Sequence, residues 1–222
     1  MENYIQKIES TLREHSNSEN ALHMRKYMKN QFEYFGIKAP LRKEITREFL
    51  RKDNLPSTTS IHSIIHSLWE KPEREFQYFA MELLTKYVKS MESNFIQHLE
   101  YLITTKSWWD TVDFIAANLV GNFFLIHPEL ISPTTDKWAK SDNMWLQRTS
   151  ILFQLKYKSS TDLKLLFRYI KMHSDSKDFF IRKAIGWALR VYSKTDPKTV
   201  SEFVKSNKLS GLSTREALKR IK

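Results

Sequence analysis

The feature that most constrains this chain is a repeat. Tyr87, Asn122, Tyr157 and Tyr192 stand 35 residues apart (122 − 87, 157 − 122, 192 − 157). Around them lie segments with helical periodicity. In F-Q-Y-F-A-M-E-L-L-T-K-Y-V (76–88), Phe76, Phe79, Ala80, Leu83, Leu84 and Tyr87 share one stripe. W-L-Q-R-T-S-I-L-F-Q-L-K-Y (145–157) and F-I-R-K-A-I-G-W-A-L-R-V-Y (180–192) behave alike. Three further columns keep the register: Phe76, Thr111, Leu146 and Ile181; Ala80, Ile115, Ser150 and Ile185; Leu84, Leu119, Gln154 and Leu189. A unit of this length holds two helices and cannot bury its apolar face alone, so it must stack on its neighbours. The predicted fold is all-α, an α-solenoid of helical repeats whose curvature offers a concave inner surface.

Punctuation agrees. The chain has only 4 glycines, and Pro56, Pro72, Pro128 and Pro197 fall between the periodic segments, where helices start or connect. With 222 residues, 41% of them hydrophobic, it suits one domain spanning 1–222. The absence of cysteine excludes disulfides, thiolate metal sites and a cysteine nucleophile, and suits a reducing cytosol. The start, M-E-N-Y-I-Q-K-I-E-S, lacks the layout of a signal peptide, and no apolar run approaches the roughly 18 residues of a membrane span. A cytoplasmic protein without a membrane partner is expected. A formal net charge of +11 and a pI near 9.6 favour a polyanionic partner, nucleic acid above all. His62 and His66 have the spacing of a metal pair but no third ligand and no H-E-x-x-H. No phosphate-binding glycine motif or G-x-S-x-G is present, and neither metal nor cofactor is expected.

The stretch T-K-S-W-W-D-T-V-D-F-I-A-A-N-L-V-G-N (105–122) sets Trp109 and Asp113 one turn apart on one helix face. The register extends that face. Asp113 maps to Arg148 (113 + 35) and then Lys183 (148 + 35), while Trp109 maps to Met144 and then Phe179. Trp187 lies one turn beyond Lys183, and Arg190 nearly another turn on. Stacked repeats would bring Trp109, Asp113, Arg148, Lys183, Trp187 and Arg190 onto one surface, an unsuitable composition for a core. Basic residues mixed with aromatics suit nucleic-acid binding. Asp113 has two readings: a helix acid paired locally with a lysine, or a carboxylate placed to stabilise an oxocarbenium-like sugar and a water attacking it. Trp69, Trp108, Trp138 and Trp145 read as packing residues. The Lys and Arg of R-K-D-N and S-T-R-E-A-L-K-R read as solvated faces.

S-W-W-D-T-V-D (107–113), W-L-Q-R (145–148), I-L-F-Q-L-K-Y-K (151–158) and K-A-I-G-W-A-L-R (183–190) closely resemble the AlkD family of bacterial DNA glycosylases. Y-M-K-N (27–30), F-G-I-K-A-P (35–40) and P-E-R-E-F (72–76) extend the likeness over nearly the whole chain. The resemblance implies a stack of HEAT-like repeats whose basic concave groove holds duplex DNA. It implies excision of cationic N3- and N7-alkylated purines, such as 3-methyladenine and 7-methylguanine, by N-glycosidic hydrolysis without base flipping. In that pattern Asp113 matches the catalytic carboxylate, and Trp109 and Trp187 match the aromatic pair around the lesioned nucleotide's deoxyribose. Arg148 matches an arginine on the DNA backbone, and Tyr27 a tyrosine near DNA. Lys183 and Arg190 join them as DNA-binding residues, and the enzyme is expected to act as a monomer.

Helical-repeat proteins also serve as protein scaffolds or as non-catalytic DNA binders. A scaffold predicts neither an acid beside two inward tryptophans nor a cationic column, and a non-catalytic binder would lack the Asp113 carboxylate.

Overall fold

The computed structural model describes residues 2–221. It is helical throughout. Among the described residues no strand forms, and Glu33 and Glu73 make an isolated bridge. Helices begin at Arg74, Trp109, Met144 and Phe179, so successive starts are 35 residues apart (109 − 74, 144 − 109, 179 − 144). Each is preceded by a partner helix: Thr58–Glu70, Ile96–Thr104, Ile131–Ala139 and Leu163–Met172. Every period is therefore a helix pair, consistent with an α-solenoid of helical repeats. All twelve residues of the three apolar columns are buried, none more than 5% exposed. Gln154 fits among them because its amide exchanges two hydrogen bonds with the Asp162 backbone, at 3.2 and 2.7 Å. The six prolines sit outside helices or in their first turns, where the missing N–H costs nothing.

One column departs from expectation. Asn122 lies inside its helix, which runs unbroken from Trp109 to Ile126. Residues Ile115–Val120 take a π-helical turn, a form rare enough to mark strain or function. The side chains of Asn118 and Asn122 donate to Phe114 O and Asn118 O, and Tyr157 donates to Gly121 O at 2.7 Å. These bonds satisfy backbone carbonyls along the widened turn.

The chain divides into two compact units, Met1–Ser90 and Met91–Lys222. In the first, the Arg74–Leu84 helix is buried on more than the one stripe the sequence suggested, since Arg74, Glu75 and Gln77 are also buried. Each is accommodated by partners. The Arg74 guanidinium stacks 3.7 Å from the Phe32 ring centre. Gln77 donates to the carbonyls of Leu68, Trp69 and Lys71. Glu75 accepts from the backbone N–H groups of Phe35, Gly36 and Ile37 at 3.1, 2.9 and 3.0 Å. Gly36 has φ +87°, and a Cβ there would stand 2.1 Å from Asn17 O, so the turn Glu75 holds requires glycine.

In the second unit, Asn143, Asp162, Asp178 and Asp196 cap the helices that follow them by accepting from first-turn N–H groups. Trp138 is fully buried and donates to Glu100 at 2.8 Å. No single helix among the described residues is long and apolar enough to cross a membrane.

Candidate functional site

Asp113 stands in the second turn of the Trp109–Ile126 helix, just before the π turn. Arg148 and Lys183 occupy the same position one and two periods later, each four residues into its own helix (148 − 144, 183 − 179). The 35-residue step thus places Arg148 against Asp113. Its Nε donates to Oδ1 at 2.7 Å and its Nη2 to Oδ2 at 2.8 Å, a bidentate pair with Arg148 4% exposed. Arg148 Nη1 also donates to Phe180 O, in the first turn of the corresponding helix of the next repeat. One guanidinium therefore ties together one helix from each of three successive repeats. Three of its five N–H donors are committed in this way.

The Asp113 carboxyl is pushed above its ordinary value, chiefly because burial removes it from water, with a small contribution from Asp110. The hydrogen bonds and charge of Arg148 act in the opposite sense and favour the carboxylate. The local lysine partner that a bland reading gave Asp113 is replaced by an arginine 35 residues on.

A cavity of about 290 Å³ opens over this pair, lined by Trp109, Asp113, Arg148, Phe179, Phe180, Lys183, Trp187, Arg190 and Glu216. That volume is at the small end of ligand pockets, which run from roughly 300 to 1,000 Å³. Six of the seven residues expected from the sequence meet here. Tyr27, the seventh, ends the Ser18–Tyr27 helix of the first unit and is 69% exposed. Trp109 and Trp187 are half-buried, with part of each indole open to the cavity. Trp108 and Trp145, which do not line the cavity, form an aromatic cluster with the lining residue Phe180, ring centres 5.1 to 5.8 Å apart. Of the two adjacent tryptophans, Trp108 therefore supports the wall and Trp109 lines the cavity.

Glu216 is a site residue the sequence reading overlooked. Its carboxylate bridges Lys183, at 3.1 Å, and Arg190. Lys183 thus pairs across to the Gly211–Leu218 helix and not along its own column. The Lys183 hydrogen bond is the main cause of a Glu216 carboxyl held below its ordinary value. The register gives no sound signal for it: one more period beyond Ile181 reaches residue 216 (181 + 35), but the helix that holds it starts at Gly211, only 32 residues after Phe179 (211 − 179). Phe179 lies in the Trp109 column and forms the cavity's exposed rim, 53% exposed.

Paired helices in a constant register, with a carboxylate–arginine pair walled by tryptophans, define a helical-repeat protein with a small charged cleft. The chain belongs to the DNA alkylation repair enzyme family, whose model matches residues 8–221. It is an enzyme of DNA repair and acts on DNA. Among solved structures it is similar to a predicted DNA alkylation repair enzyme from Enterococcus faecalis. The two share 32% identity and a TM-score of 0.87 over 93% of this chain and 96% of that one. No curated protein matches the chain.

Proposed function

We propose that the protein is a DNA glycosylase that hydrolyses the N-glycosidic bond of cationic N3- and N7-alkylated purines in duplex DNA. The observation that carries this reading is a single one: Asp113 is held in fixed orientation beneath a nucleoside-scale cavity walled by Trp109 and Trp187. As the bond breaks, its electron pair leaves with the purine, which becomes neutral, and positive charge develops on the sugar. A pre-oriented carboxylate in a partly dry site stabilises that charge without reorganising. Water then adds at C1′ and releases a proton to Asp113 or to solvent. The two indole faces favour the same cation.

An alkylated purine cation is already an activated leaving group, so the site needs no acid to protonate it. A mechanism without base flipping follows the same logic, because a lesion that carries its own charge can be selected by its lability without a pocket that reads the base edge. Lys183 and Arg190 then serve the flanking phosphates, with Arg148 contributing through its two uncommitted N–H donors. Tyr27 and the basic charge of the chain add contacts along the duplex. The protein acts as a monomer in the cytoplasm, on the chromosome.

Release of 3-methyladenine and 7-methylguanine from methylated duplex DNA by wild type and Asp113→Asn tests the reading. Release by wild type and a loss of at least 100-fold in the variant is expected. Equal release by both would remove Asp113 from the chemistry. Binding without release by either would leave a non-catalytic DNA binder.

A further inference from the structure

Lys183 and Arg190 are the two cations of the cavity not committed to Asp113, and neither is free. Glu216 holds both, one with each carboxylate oxygen. Its helix is set close enough to do this because Gly186 lies against it: a Cβ at Gly186 would meet Glu216 Cβ at 2.5 Å and Ser213 O at 2.9 Å. Ser213 fastens the contact by donating to Arg182 O at 2.9 Å. The Glu216 side chain is 17% exposed and faces the cavity, so the bridge belongs to the site wall and not to the open surface.

A carboxylate shared between a lysine and an arginine occupies the place a phosphodiester would take, since both present two anionic oxygens. We propose that Glu216 is a specificity-determining residue: its carboxylate competes with a DNA phosphate for Lys183 and Arg190, and so weakens the site's grip on undamaged duplex. The proposal rests on the reading that duplex DNA binds at this cavity, and the test separates the two. Every duplex offers phosphates, but only a lesion offers a cation to Asp113 and the indoles. With Glu216 ionised, the phosphate term is discounted and the lesion term is not. Three cations against two carboxylates leave the cavity one net positive charge, and neutralising Glu216 would raise that to two.

The test is equilibrium binding of undamaged and methylated duplex DNA across a salt series, for wild type, Glu216→Gln, Lys183→Gln and the double variant. Glu216→Gln should bind undamaged duplex roughly 3- to 10-fold more tightly, and the ratio of methylated to undamaged affinity should fall. The slope of log affinity against log salt should steepen by about 0.9, the value for one more neutralised phosphate. Lys183→Gln should weaken binding, and the double variant should return near wild type because charge is restored. Weaker or unchanged binding by a folded Glu216→Gln would overturn the competition. If Glu216→Gln fails to fold, Glu216→Ala, which also removes the carboxylate, should give the same gain, and its failure to do so would overturn it. Loss of wild-type base release with these binding shifts intact would sink the glycosylase reading alone. DNA binding insensitive to Lys183→Gln and Arg190→Gln would show instead that DNA does not use this cavity.

Discussion

Arg148 holds both oxygens of the Asp113 carboxylate, at 2.7 and 2.8 Å, across a step of one structural repeat. The same guanidinium reaches the Phe180 carbonyl, so the acid that faces the cavity is also the point where three helices are pinned. The cavity's carboxylate and the packing of these helices are therefore coupled at this pair, and variants of either residue need a folding control.

The coupling can be measured. Arg148→Ala leaves a buried carboxylate without its partner and the Phe180 carbonyl without its donor, a change expected to cost about 3–5 kcal/mol. Asp113→Asn keeps one acceptor for Arg148 and should cost less. Urea unfolding of Arg148→Gln, Asp113→Asn and the double variant should give a coupling energy of at least about 1 kcal/mol, within the range for residues in direct contact. Additive effects would show that the pair is not the helix tie inferred from its geometry.

The tryptophans of S-W-W-D separate by role. Trp108 packs on Trp145 and Phe180, so Trp108→Ala should cost about 3 kcal/mol of stability, read by denaturant melting. Trp109 and Trp187 have part of their surface open to the cavity, and their alanine variants should stay folded. Each should lose roughly 10-fold or more in release of methylated purine, as expected if a stacking contact of about 1–3 kcal/mol disappears. A Trp109→Ala variant that melts early and retains activity would reverse the assignment.

In the first unit, three backbone N–H groups depend on one buried carboxylate. Glu75→Ala strands all three donors, each costing about 1–3 kcal/mol if left buried and unsatisfied. Relaxation of the turn recovers part of that, so a net loss of about 3 kcal/mol is expected. Amide hydrogen exchange at Phe35, Gly36 and Ile37 should accelerate more than exchange in the Thr58–Glu70 helix. Uniform acceleration would indicate general unfolding and not a local staple.

Much of this architecture was legible in the sequence because a stack of repeats writes its geometry as a period. A residue at position n in one repeat can face its equivalent in the next, so a 35-residue step from Asp113 leads to Arg148, its partner in the structure. The same arithmetic failed at Lys183, which turns aside to Glu216. The Gly211–Leu218 helix starts 32 residues after Phe179 (211 − 179), three short of the period, and the last repeat is closed by a different contact set. Phase information of that kind is carried by Gly186, whose missing side chain lets the helices approach, and a single glycine does not announce its neighbour. The π turn was hidden for a related reason. I-A-A-N-L-V reads as an ordinary apolar helix, and only the placement of Asn118, Asn122 and Tyr157 shows how the carbonyls along it are satisfied.

His173 gives the second unit an acid-sensitive position. It is 8% exposed, its Nε2 has no hydrogen-bond partner, and burial holds the imidazole below its ordinary pKa. The unfolded chain therefore takes up a proton near pH 6.5 that the folded chain accepts only at lower pH. Stability from this group is complete above about pH 6.5 and is lost as pH falls through the folded value. His66 in the first unit is lowered in the same direction, by burial and by His62, so the assignment needs a variant. Thermal melts of wild type and His173→Gln between pH 7.5 and pH 5 resolve it. The variant should be the less stable protein at pH 7.5, because glutamine fills the imidazole's place imperfectly, and the gap should narrow as pH falls below about 6.5. A gap that stays constant across that range would show that His173 does not titrate between the two states.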